Sequence, residues 1–303
     1  MVLGTAALLW MLAAADDGGQ DRHKRSADTD ETVAVSRGTR LALENASGSV
    51  EVHTWDRDSL RVQARHAAGT KVLIRADQSS VTVHAVSQGG HAGPVEYDIT
   101  APAWIAIRIE GNHNDVSIDG ARGDVSVENV RGDIAITKSS GSITANTIEG
   151  QVTVEGGRGK VDVTSVNDGI NITGATGEIS AETTNGSISL SRIDGTSMDV
   201  ATINGDVTFD GSIADNGRYS FSSHNGDIVL TIAETVNATF SIRTYNGGFN
   251  TSLPLKGPER STVRRGSRAS YTLGSGSAAV DLDSFGGEIS VRRSGADRKE
   301  RRQ

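Results

Sequence analysis

The chain has 303 residues, with 36 glycines, 4 prolines, no cysteine and few aromatics (3 Trp, 4 Tyr, 5 Phe). Absent cysteine excludes disulfide scaffolds, Cys-ligated zinc, iron-sulfur clusters, thiol catalysis and cysteine lipid anchors, and glycine without a G-X-Y period or much proline excludes collagen. With 30 Lys/Arg against 38 Asp/Glu the net charge is −8, which argues against nucleic acid as a partner because phosphate binding needs a basic surface.

Val2 to Ala15 is a largely apolar run, too short to span a hydrocarbon core of ~30 Å. It ends in Ala13-Ala14-Ala15, an A-x-A cleavage pattern before Asp16. Residues 1–15 therefore read as a secretory signal peptide with a truncated n-region, since no Lys or Arg precedes Asp16. Residues 16–30 read as a polar, disordered linker. No later stretch reaches ~18 consecutive apolar residues, so no membrane span is expected in the mature chain.

Residues 31–110 carry strand patches without strict spacing, among them G-S-V-E-V from Gly48, S-V-T-V from Ser80 and Y-D-I-T-A-P-A-W-I-A-I-R-I from Tyr97. They read as the first coils and an amino-terminal cap, which an open solenoid end needs to cover its unpaired backbone.

From Asn114 a nine-residue unit recurs: N-D-V-S-I, then G-D-V-S-V from Gly123, G-D-I-A-I from Gly132, G-S-I-T-A from Gly141 and so on to G-D-V-T-F from Gly205. In each unit the apolar residues stand two and four places after the glycine, except that the copy at Gly195 carries about one extra residue. Such alternation with Val/Ile enrichment is a strand with one buried face. The expected core is Val125, Val127, Ile134, Ile136, Val152, Val154, Val161, Val163, Ile170, Ile172, Ile188, Leu190, Val207 and Phe209. The expected coil corners are Gly123, Gly132, Gly141, Gly150, Gly159, Gly177, Gly186, Gly205, Gly226 and Gly247, where glycine tolerates the positive φ of a tight bend. A further apolar residue stands two places before the glycine slot at Val130, Ile148, Val166, Ile193 and Ile203, so one short strand leads into each bend.

One such unit buries two or three aliphatic side chains at about 1.5–3 kcal/mol each, while ordering each residue costs roughly 1–2 kcal/mol. Stacking must supply the difference. The pairs Asn204-Gly205, Asn225-Gly226 and Asn246-Gly247 are 21 residues apart, with two strand patches in each interval. One coil therefore holds two strands, and residues 111–255 are predicted to be a regular all-β, two-sheet β-solenoid of 18–21 residues per coil. Asn204, Asn225 and Asn246 then fall one above another as an amide ladder.

Residues 256–270 read as a basic loop, 271–293 as carboxy-terminal cap strands and 294–303 as a disordered basic tail. Residues 256–303 hold 11 Lys/Arg against 6 Asp/Glu, whereas 1–255 hold 19 against 32.

The G-D-[VI]-x-[VIL] series, the preceding proline-containing strand Y-D-I-T-A-P-A-W-I-A-I-R-I and the closing G-S-G-S-A-A-V-D-L-D-S-F-G-G-E-I-S-V together resemble the bacterial adhesin-type β-strand-repeat family known as domain of unknown function 4097. The resemblance covers roughly residues 32–293 and implies an exported or envelope-associated β-solenoid. It implies no catalytic residues.

Other chemistry is sparse. Arg122-Gly123-Asp124 and Arg131-Gly132-Asp133 spell an integrin-type tripeptide but lie in phase with the repeat. Calcium-binding nonapeptides need aspartate in a G-G-x-G-x-D register; at Gly156-Gly157-Arg158-Gly159-Lys160 that slot holds Val161, with Asp162 one place late. Asp124, Asp133, Asp206 and Asp227 are the acidic edge positions left for a cation. Asp115, Asp119, Asp124 and Asp133 are the carboxylates a polysaccharide-cleaving β-helix would use, yet residues 111–208 contain no Phe, Tyr or Trp to hold a sugar. The histidines at 23, 53, 66, 84, 91, 113 and 224 show no zinc-ligand spacing. No catalytic, cofactor or metal residue is expected.

The expected function is a non-catalytic exported module of the periplasm or cell surface, an adhesin or envelope-binding element whose partner is an envelope protein or glycan. It would present Ser126, Thr137, Thr144, Thr153, Thr164, Thr173, Ser180 and Ser189 on polar sheet faces. The alternatives are an envelope-stress signalling accessory domain, docking through the basic carboxy-terminal end, and a polysaccharide-active enzyme.

Overall fold

The computed structural model describes residues 29–87, 92–258 and 266–295. The residues read as a signal peptide, nearly all of those read as a linker, residues 259–265 of the basic segment and those from 296 onward lie outside the described residues. Among the described residues there is no helix, and the strands are β1 (Thr29–Ala34), β2 (Arg40–Trp55), β3 (Ser59–Arg65), β4 (Thr70–Ala76), β5 (Ser80–Ser87), β6 (Val95–Pro102) and β7 (Ala106–Asp119). The repeat zone forms β8 (Val125–Glu128), β9 (Ile134–Ser139), β10 (Ile143–Asn146), β11 (Val152–Gly156), β12 (Arg158–Thr164), β13 (Ile170–Thr173), β14 (Thr176–Thr183), β15 (Ile188–Thr202) and β16 (Val207–Ser223). After it come β17 (Ile228–Ile232), β18 (Ala238–Thr244), β19 (Phe249–Thr251), β20 (Arg268–Leu273), β21 (Ala278–Ser284) and β22 (Ile289–Arg293).

The chain is an all-β solenoid with two sheet faces. Val125, Ile143 and Val161 stand in register on the first face, and Ile134, Val152 and Ile170 on the second. Each step is 18 residues in this zone. It becomes 19 between Ile179 and Met198, and 21 between Met198 and Tyr219. Inward residues are aliphatic where the coil is short. Where it lengthens, Phe209, Tyr219 and Phe221 fill the wider interior, with the Phe209 and Phe221 rings 5.3 Å apart.

Coil order departs from chain order at both ends. The two halves of β2 pair with β7 on one side and with β5 and β6 on the other, so the earliest coil lies one position inside the stack. Likewise β21 lies between β16 and β18, and β22 between β17 and β19. The cap strands read from residues 271–293 thus include a coil inserted into the stack. Outermost are antiparallel pairs, β4 with β5 and β1 with β3 at one end and β18 with β20 at the other. Reversing direction closes off a parallel ladder that would otherwise present its full edge.

The buried core is continuous along the solenoid. Tyr219 keeps its hydroxyl satisfied, donating to the Gly195 carbonyl at 2.7 Å and accepting from the Ala214 amide at 2.8 Å. Tyr97 is equally buried, but its hydroxyl has no partner, and burial pushes its pKa up from 10.0 to about 12. A raised folded-state pKa stabilises the fold below the unfolded value, and that contribution is lost as pH rises from about 10 to about 12. Tyr97→Phe should therefore leave stability near neutral pH unchanged or slightly higher, and should reduce the alkaline loss. Urea midpoints at about pH 8 and about pH 11 check this; an unchanged alkaline loss in the variant would refute it.

Candidate functional site

The coils turn at two kinds of corner. At one, the chain passes from the first face to the second, and five residue columns run along the stack. The innermost is buried and polar: Asn129, Thr147, Ser165, Thr183, Thr202, Ser223 and Ser284. Thr202 donates to Gly186 O at 2.9 Å and Ser223 to Gly205 O at 2.9 Å, so each side chain satisfies a carbonyl of a neighbouring coil. Gly111 leaves this slot empty, and Asn114 fills the space while bonding Asn45. The sequence signal for this column is a Ser, Thr or Asn three places before the glycine slot. The nine-residue reading missed it because the column repeats only once per coil.

The corner glycines are required mainly by close approach. Positive φ holds at Gly132, Gly150, Gly159 and Gly177, but not at Gly123, Gly141, Gly186, Gly205, Gly226 or Gly247. At those six a Cβ would stand 1.8–2.3 Å from a carbonyl oxygen of the adjacent coil. The expectation that glycine serves chiefly to permit positive φ is corrected accordingly.

The asparagine column also differs from expectation. Asn225 donates to Asn204 at 2.9 Å, Asn204 to Asn185 at 2.8 Å and Asn185 to Asn167 at 3.1 Å. Asn246 does not continue this ladder, because the inserted coil places Gly286 between it and Asn225.

The acidic edge positions hold backbone. The Asp133 amide donates to Asp115 Oδ1 at 3.1 Å, Gln151 N to Asp133 at 2.8 Å, Asp227 N to Asp206 at 2.9 Å, Glu288 N to Asp227 at 2.7 Å, and at the other corner Ser142 N to Asp124 at 3.3 Å. Asp124 and Asp133 stand at opposite corners, so these two do not form an acid-base pair, and the two integrin-like tripeptides are likewise separated. Asp119 bonds Thr137 and Lys138, and hydrogen bonding from Lys138, then Thr137, lowers its pKa. Asp162 pairs with Lys160 at 3.0 Å, and Val161 is buried. Among the described residues no three His, Asp or Glu side chains converge as metal ligands.

The expected core residues Val125, Val127, Ile134, Ile136, Val152, Val154, Val161, Val163, Ile170, Ile172, Ile188, Leu190, Val207 and Phe209 are all buried. Ser126, Thr144, Thr164 and Ser180 lie half-buried on the outside of the first face, and Thr137, Thr153, Thr173 and Ser189 on that of the second. Both faces carry charge: Arg108, Asp162, Asp199 and Asp281 share a column with Ser126 on the first, and on the second Asp119, Glu155, Asp210 and Arg292 share one with Thr137 and Thr173, beside a column that is uncharged from Ser117 to Ser290.

Next to the buried polar column runs an exposed one. Val130, Ile148, Ile203 and Phe285 are 37%, 45%, 48% and 42% exposed, and with Val166, the polar Thr184, His224 and Tyr245 they follow one line along the stack. Of the large apolar residues read as leading into bends, only Ile193 points inward; Val130, Ile148 and Ile203 point out. Only one other large apolar side chain among the described residues is comparably exposed, Val86. Four of these five exposed side chains thus stand at one corner of the coils. Its carboxy-terminal part is aromatic: His224 stacks on Phe285 at 4.6 Å, Tyr245 lies 5.2 Å from Phe285, and Arg243 covers Tyr245. Its amino-terminal part borders a groove of about 500 Å³ between Glu110, Glu128, Val130, Ile148 and Val166.

Among the described residues no helix is long and apolar enough to cross a membrane. Residues 38–292 match the family model described as Toastrack DUF4097. Two solved structures resemble the chain: a candidate adhesin from Bacteroides fragilis NCTC 9343, at 10% identity and TM-score 0.37 over 87% of this chain and 96% of that one, and a candidate cell adhesion protein from Clostridium sporogenes ATCC 15579, at 9% identity and TM-score 0.26 over 88% and 99%. No curated protein matches the chain.

Proposed function

The chain belongs to the Toastrack DUF4097 family, and from that premise we propose that it is a non-catalytic, exported solenoid that docks to a component of the bacterial cell envelope or cell surface. One observation carries this reading: exposed apolar side chains are gathered on a single corner, while the corner carboxylates are engaged by backbone amides. The corner aspartates are thereby taken up in holding neighbouring coils together. Of the basic end invoked by the signalling alternative, Arg268 and Arg293 are held by Asp281 and Glu234, and most of its other basic residues lie outside the described residues.

Co-sedimentation of the purified chain with isolated bacterial envelopes tests the proposal. The chain should be retained, and a variant with Val130, Ile148 and Ile203 changed to serine should be retained several-fold less; equal retention would sink it. Asp124→Asn with Asp133→Asn should change neither retention nor any polysaccharide turnover, and a turnover abolished by that pair would establish an enzyme instead.

A further inference from the structure

We propose that the groove beside Val130, Ile148 and Val166 binds a short extended polypeptide in which basic residues alternate with aliphatic ones. This deepens the docking reading by naming the chemical class of the partner.

Two features of the groove point to that class. Its apolar side is a single row, one side chain per coil, from Val130 through Ile148 to Val166. The groove runs from the coil of Glu110 to that of Val166, three coil steps of about 4.8 Å each, or about 14 Å, which is the length of four or five residues of extended chain. A patch one side chain wide is far below the ~800 Å² per partner of a stable globular interface, so a strand-like segment fits where a second folded copy does not.

The flank is acidic. Glu110 and Glu128 border the groove, and only Arg108 pairs with them, reaching both. On the far side Glu149 is matched by Arg131 at 2.8 Å. The local excess is negative and favours a cationic ligand.

A neutral glycan would leave the negative excess of Glu110 and Glu128 over Arg108 unanswered, and the groove has no aromatic side chain for a sugar ring.

The test uses the full chain and fluorescent octapeptides of alternating Lys and Val, with Lys/Ser and Glu/Val counterparts, followed by anisotropy. The Lys/Val peptide should bind about tenfold or more tightly than either counterpart. Ile148→Ser and Glu128→Gln should each weaken it several-fold, whereas Val86→Ser, an exposed change on β5, should not. All three positions are at the surface, so melting temperatures should stay close to that of the parent. The proposal is overturned by absence of Lys/Val binding, by equal binding of Lys/Ser, by indifference to both groove variants, or by displacement of the peptide with cellohexaose. If envelope retention persists while the peptide fails, docking stands and this partner class falls.

Discussion

Gly205→Ala is expected to remove about 3 kcal/mol or more of stability, enough to leave many domains largely unfolded. The added Cβ would stand 2.1 Å from the Gly186 carbonyl oxygen, 2.4 Å from its carbon and 2.9 Å from Ser187 N. All three are backbone atoms of the neighbouring coil, so relief requires prising two coils apart and breaking the hydrogen bonds between β15 and β16. The backbone at Gly205 is not left-handed, which isolates the steric effect. Two controls sharpen the test. Gly159→Ala meets nothing closer than Ser142 Oγ at 3.7 Å but sits at φ +91°, and should cost about 1–2 kcal/mol through strain alone. Gly248→Ala meets nothing within 4 Å at an ordinary φ and should be neutral or slightly stabilising. Urea midpoints of the three variants should rank in that order; Gly205→Ala within about 1 kcal/mol of the parent would disprove close approach as the reason for glycine.

Ending the chain after Ser277 is expected to abolish cooperative folding of the carboxy-terminal half. Removing β21 and β22 takes away the coil to which both β16–β17 and β18–β19 are bonded. Phe221, Leu230, Phe240 and Ile242, all buried, would lose their packing partners at roughly 1.5–3 kcal/mol for each fully exposed side chain. A soluble truncated chain with a single sharp melt near the parent's would contradict this and would mean that β18 and β19 can close directly on β16 and β17. The same order can be read covalently, because the chain has no native cysteine. Ser222 faces Asp283, which faces Arg243. Cysteines at 222 and 283 should therefore sit one strand spacing apart, about 4.8 Å, and oxidise readily, whereas cysteines at 222 and 243 should be about 9.6 Å apart and remain free.

That insertion marks where sequence reasoning reached its limit. The interval of 21 residues between Asn204, Asn225 and Asn246 describes local coil length, and the first two do stack. Asn246 fails because a segment about 40 residues later takes the place above Asn225, and a repeat count along the chain carries no information about an element that returns from elsewhere. The same blindness affects β2, which chain order places among the first coils and pairing places inside the stack, between β7 and β5–β6. The exposed corner was misread for a different reason. Val130, Ile148 and Val166 recur every 18 residues, twice the repeat, so treating both corners as equivalent merged an outward column with the inward Ile193.

Alternation of valine and isoleucine with polar residues, at a fixed distance from glycine, was sufficient by itself to determine an all-β coil with two sheet faces, because period-two burial leaves a strand only one way to turn its side chains. Which coil lies on which, which corner carries exposed apolar groups, and which aspartates are occupied by backbone were decided only in three dimensions. These depend on contacts between residues a coil or more apart, and such contacts are selected by packing and hydrogen-bond satisfaction across the stack rather than by any local preference.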